Sequence, residues 1–105
     1  MEDKLKKIIN NYGVLNQVRK FNEECYELTE AIIRYEEAKL NHFENYDAKD
    51  KKLGLKNIAE ELADVMVLLE QFKLYYGLTS EEITKIFWSK VDRQLERMRW
   101  EDESN

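Results

Sequence analysis

NIAEELADVMVLLEQFKLYYG, residues 57–77, decides the fold. Its apolar residues Ile58, Leu62, Val65, Leu69, Phe72 and Tyr76 step by four and three, the spacing that puts one stripe on an α-helix. Gly77 closes it as a C′ residue, the position where a left-handed backbone is commonest. Upstream, Val18, Phe21, Cys25, Leu28, Ile32 and Tyr35 keep the same alternation and predict a second long helix. Before it, Leu5, Ile8, Ile9 and Tyr12 make a short amphipathic helix ending near Gly13. Downstream, Thr79-Ser80-Glu81-Glu82 offers a capping box for a last helix, with the apolar line Ile83, Phe87, Val91, Leu95 and Met98. The tail EDESN should fray.

Between the two long helices the pattern dissolves into HFENYDAKDKKLG, residues 42–54, which reads as a loop or a frayed helix end. Proline is absent and glycine is confined to Gly13, Gly54 and Gly77, so helices punctuated at those glycines are expected. The predicted class is all-α, a four-to-five-helix bundle in a single domain spanning residues 1–105. Hydrophobic residues at 43% and charged residues at 37% suit a folded chain with a heavily solvated surface. A helical domain this small buries a modest core, and self-association would help it.

The net charge of −5 argues against nucleic acid as partner, because phosphate-backbone binding is driven by Lys and Arg. Cys25 is the only cysteine, which excludes an intramolecular disulfide and fits a reducing compartment. No stretch approaches the length of a membrane span, and MEDKLKKIINNYG lacks the apolar centre of a signal peptide. A cytoplasmic protein with no membrane partner is the expectation.

Chemistry enters through the acids. Glu24 and Glu27, and again Glu61 and Asp64, are i, i+3 pairs beside the two long stripes. If the helices pack antiparallel, four carboxylates converge. Like charges that close repel unless a cation neutralises them. An all-oxygen ligand set favours Mg²⁺, with Mn²⁺ as a substitute. The di-iron alternative needs Glu-x-x-His pairs, and the lone His42 falls in the expected loop, where it reads as a surface residue. With 22 Asp and Glu in 105 residues, however, acidic pairs also arise on solvated faces by chance, as at Glu36-Glu37 and Glu81-Glu82.

The residues resemble a family at this point. Glu23-Glu24-Cys25-Tyr26-Glu27 followed by Glu61-Leu62-Ala63-Asp64 looks like the E-E-x-x-E and E-x-x-D signature of the MazG-type all-α nucleoside triphosphate pyrophosphohydrolases. Tyr12-Gly13 with Gln17 and Lys20 ahead of it, and Lys90, Arg93 and Arg97 behind, extend the likeness over roughly residues 12–98. The resemblance implies Mg²⁺ on Glu24, Glu27, Glu61 and Asp64, and hydrolysis of an NTP or dNTP to the monophosphate and pyrophosphate. It makes Glu23 the residue that orients or deprotonates the water, unless it stands behind the ligands and pairs with Lys20. Lys20, Lys90, Arg93 and Arg97 become candidates for substrate phosphate, and Tyr12, Phe21 or Trp88 for stacking on the base. It also implies a homodimer or homotetramer. The chain departs from compact members in the 33 residues, Leu28 to Glu60, between the motifs. That excess could be an extended hairpin, a lid or a substrate-selecting loop. The rival reading is a non-catalytic helical bundle that binds a partner or dimerises through its apolar stripes, its acids merely solvated.

Overall fold

A computed structural model describes residues 2–41 and 47–104. Among them are four α-helices and no strand: α1 (Glu2–Tyr12), α2 (Val14–Asn41), α3 (Ala48–Tyr75) and α4 (Ser80–Ser104). His42 and its expected loop position lie outside the described residues.

The punctuation is chemical. Gly13 takes φ 87° and Gly77 φ 65°, a region that side chains with a Cβ enter at a cost. The Gly13 N–H donates to the Ile9 carbonyl (2.8 Å), ending α1 in a single αL bond. At the end of α3 the Gly77 N–H donates to Leu74 (3.2 Å) and the Leu78 N–H to Lys73 (2.9 Å), which together form a Schellman motif. The Glu82 N–H then donates to Thr79 Oγ1 (3.1 Å), the hydroxyl half of the expected capping box.

Two expectations are corrected. Residues 48–54 are helix, not loop: Asp47 caps α3, its carboxylate accepting from the Asp50 N–H at 2.9 Å. Gly54 therefore sits inside a helix and punctuates nothing. Nor does the tail fray at its start, since α4 runs on to Ser104. The long separation between the acidic motifs is, over the described residues, an extended hairpin of two 28-residue helices.

α2 and α3 pair along their length and α1 lies mainly against α3. The pair is antiparallel, because contacts advance along α2 as they retreat along α3. Gln17 meets Gln71, the Phe21 ring meets Phe72 edge-on at 5.7 Å, and Glu24 meets Asp64 and Glu61. The apolar core is small: Ile9, Tyr35, Val65 and Leu68 are its buried members.

The register differs from the stripes read in sequence. On α2 the buried residues are Gln17, Glu24 and Tyr35, while Val18 and Ile32 stay exposed. On α3 they are Val65, Leu68 and Gln71, while Leu62 and Leu69 stay exposed. α2 turns the polar Gln17 and Glu24 into the contact, whereas α3 buries Val65 and Leu68 beside Gln71. The apolar arc on each is wider than one helix–helix contact can cover, so one edge of it is left over. α4 contributes no buried residue and meets the other helices only sparsely, Lys73 Nζ on α3 donating to Ser80 Oγ at its start (3.0 Å).

Candidate metal centre

That rotation places the acids. Glu24 is buried at 8% exposure, and Glu61 beside it is half-buried. Glu24, Glu61 and Asp64 each offer a carboxylate oxygen, and the three oxygens lie within 4.8 Å of one another. Asp64 is the exposed member. Glu27, also expected as a ligand, is exposed one turn along α2 and stands outside this tight group. Its charge still reaches Glu24.

The Glu24 carboxyl is pushed above its ordinary value of 4.5 by burial first, then by Glu27 and Asp64. The Lys20 ammonium, 3.7 Å from Glu24 Oε1, opposes the rise without cancelling it. Lys20 thus pairs with Glu24 and not with Glu23. One oxygen of Glu24 and one of Glu61, the Oε2 atoms, are buried without any hydrogen-bond partner. Such a pair is costly unless something positive or donating meets it. Three carboxylates this close, two of which keep a buried oxygen without a partner, suit a hard divalent cation.

The acids form the waist between two cavities. A cleft of about 780 Å³ lies toward the Gly13 end, walled by Glu23, Glu24 and Asp64 together with Tyr12, Lys20 and Gln17. A smaller one of about 340 Å³ lies on the far side, where Glu27 and Glu61 meet Arg34 and Asn57. Glu23 is exposed on the wall of the larger cleft. Tyr12 is exposed there too, whereas Phe21 is spent on Phe72 in the core. Trp88 sits on α4 against Phe87, 5.2 Å between ring centroids.

Of the four cations expected near phosphate, only Lys20 lines the large cleft. Lys90, Arg93 and Arg97 belong to α4, and no α4 residue lines either of the two cavities beside the acids. Arg93 and Arg97 instead flank a shallow hollow on α4 itself.

Three polar residues of the cleft escaped the sequence reading, as did the apolar Val67 and Leu68. Gln71 is 1% exposed and accepts from Gln17 Nε2 at 2.9 Å, a buried amide pair at the back of the cleft. Its signal was available, since a Gln interrupting an apolar stretch of a predicted helix asks for a partner. Arg19 and Asn16 also line the cleft, but nothing in their spacing sets them apart from a solvated face.

An all-α hairpin carrying an acidic waist between two cavities is as far as the geometry defines the class. No protein-family profile, curated protein or solved structure matches the chain.

Proposed function

We propose that the chain is a Mg²⁺-dependent nucleoside triphosphate pyrophosphohydrolase of the all-α, MazG-like type, with Mn²⁺ able to substitute. The observation that carries this reading is the convergence of Glu24, Glu61 and Asp64 with two buried carboxylate oxygens left unpartnered. A solvated acidic face gives no reason to bury them.

A divalent cation held by Glu24, Glu61 and Asp64, with Glu27 alongside, supplies charge neutralisation of phosphate and a lowered pKa for water. The chain's own groups do the rest. Water adds to the α-phosphorus, the bond to the bridging oxygen breaks, and nucleoside monophosphate and pyrophosphate leave. Glu23, exposed on the cleft wall, is the group placed to take the water's proton. Lys20 and the neighbouring Arg19 offset the triphosphate's charge. The exposed Tyr12 ring offers a stacking surface for a base. Lys90, Arg93 and Arg97 line neither cavity beside the acids, so the proposal rests its phosphate contacts on Lys20 and Arg19.

The rival, a non-catalytic interaction module, draws on the apolar exposure of α4 and leaves the buried acids without a task. The test incubates the protein with each NTP and dNTP and Mg²⁺ while pyrophosphate and orthophosphate are measured separately. Pyrophosphate in equal amount to the monophosphate is expected for at least one nucleotide. None across the whole set would overturn the enzymatic reading.

A further inference from the structure

Gln71 breaks the apolar stretch of α3, and Gln17 lies one turn into α2 beside a Val18 that is left 41% exposed. The chain buries these two amides instead, Gln17 to 4% exposure and Gln71 to 1%. They meet through a single bond, Gln17 Nε2 donating to Gln71 Oε1 at 2.9 Å. An amide carries a carbonyl acceptor and two N–H donors, so that bond leaves Gln17 Oε1 and the Gln71 amino group over. Among the described residues neither has a partner. Nor are they sealed in. The buried, unpartnered side-chain atoms among those residues are Glu24 Oε2 and Glu61 Oε2, and both glutamines line the large cleft. The spare acceptor and the spare donor are therefore open to the cleft.

A buried amide without a full set of partners is costly, which calls for a ligand that offers one donor and one acceptor in return. Register says what kind of ligand. Gln17 precedes Glu24 by seven residues on α2, and Gln71 follows Asp64 by seven on α3. In an antiparallel hairpin both steps run the same way, so the amide pair stands about 10 Å along the cleft from the acids. A nucleoside monophosphate has that reach from its phosphorus to the far edge of its base. Tyr12, five residues before Gln17, is exposed on the same cleft.

The terminal torsion of a glutamine is broad and close to two-fold. Turning both amides over exchanges nitrogen for oxygen in each and rebuilds the same bond with Gln71 as its donor. What faces the cleft is then inverted, a donor on Gln17 and an acceptor on Gln71. Bases invert in the same way. Uracil and thymine set a carbonyl acceptor beside a ring N–H donor, whereas cytosine sets an amino donor beside a ring acceptor; guanine and adenine repeat the contrast. A rigid donor–acceptor site rejects the inverted base by ~10⁴-fold, because its own buried groups go unpaired. A pair that turns over does not.

We propose that the Gln17–Gln71 pair reads the edge of the nucleobase, and that by reversing together the two amides accept oxo and amino bases alike. The ligand in this inference rests on the nucleotide reading of the cleft.

One measurement of binding and one of turnover test it. In a nitrogen–proton NMR spectrum of the wild-type chain with Mg²⁺, the side-chain amide signals of Gln17 and Gln71 should shift with both members of the pair dCMP and dUMP, or of the pair dAMP and dGMP. Signals that move with neither pair, or with one member only, would overturn the proposal whatever the turnover. Shifts without pyrophosphate release from any triphosphate would uphold the base site and remove the hydrolytic reading alone. In turnover, kcat/KM for the oxo and amino triphosphates of the preferred pair should differ by less than about 100-fold, and a larger ratio would overturn the reversal. Gln71→Leu, with helix content by circular dichroism unchanged, should raise KM about 10-fold for both members alike and spare kcat. Should that variant lose helix, Gln17→Leu repeats the test. An unchanged KM in a folded variant would reduce the amide pair to a structural contact and overturn the proposal.

Discussion

The two sides of the α2/α3 hairpin contrast in what they bury. The cleft side draws in the polar Gln17, Glu24 and Gln71 beside the apolar Leu68, while the opposite side leaves Val18, Ile32, Leu62 and Leu69 exposed. On α2, burial alone would favour Val18 and Ile32 over Gln17 and Glu24, since apolar area removed from water stabilises at about 25 cal/mol per Å². The metal-binding reading proposed above gives the buried acids of the cleft side a task, and the exposed apolar residues of the other side stand apart from it.

The largest expected effect of breaking the cleft side is on turnover. Asp64→Asn removes the exposed member of the carboxylate trio and should lower kcat at least 100-fold with folding intact, as read by steady-state pyrophosphate release and circular dichroism. Wild-type rates in that variant would remove Asp64 from the ligand set. Lys20→Ala comes next. Loss of a charge-assisted contact to phosphate, worth about 1.5–3 kcal/mol, should raise KM roughly 10-fold or more. An unchanged KM would return Lys20 to the role of a simple partner for Glu24.

The smallest effect, on stability, has a defined sign. The Glu24 carboxyl is held above 4.5 by burial, Glu27 and Asp64, so its charged form is the disfavoured one in the folded chain. Its contribution to stability is fully present below the unfolded value and is lost as pH rises through the raised folded value. Metal-free Glu24→Gln should therefore be more stable than wild type at neutral pH. A gain of about 1 kcal/mol would raise Tm by roughly 4–8 °C in a chain of this size. The gain should shrink as pH falls toward 4. Added Mg²⁺ should reverse the order, because only the wild type gains from binding. A variant less stable than wild type without metal would mean that Glu24 is satisfied as it stands.

The helices were legible because their ends are written in local chemistry. Gly13 and Gly77 take left-handed backbone, and Thr79 caps α4. The start of α3 was hidden because residues 48–53 have no buried face to leave a period; the signal was Asp47, three residues before the Asp50 N–H it caps. The meeting of Glu24, Glu61 and Asp64 followed from two i, i+3 pairs on facing helices. The roll of those helices did not follow, because an apolar arc wider than one contact permits two registers and only packing selects between them. The distance of Lys90, Arg93 and Arg97 from the acids was equally hidden. Spacing puts them on one helix but does not say against what that helix packs.

The account rests on the carboxylate trio being a divalent-cation site. Titration of the wild-type protein with Mn²⁺, followed by the loss of free-ion paramagnetic signal, measures this directly. Binding that competes with Mg²⁺ and weakens at least 10-fold in both Glu24→Gln and Glu61→Gln is the predicted result. Binding no stronger in the wild type than in either variant would contradict it.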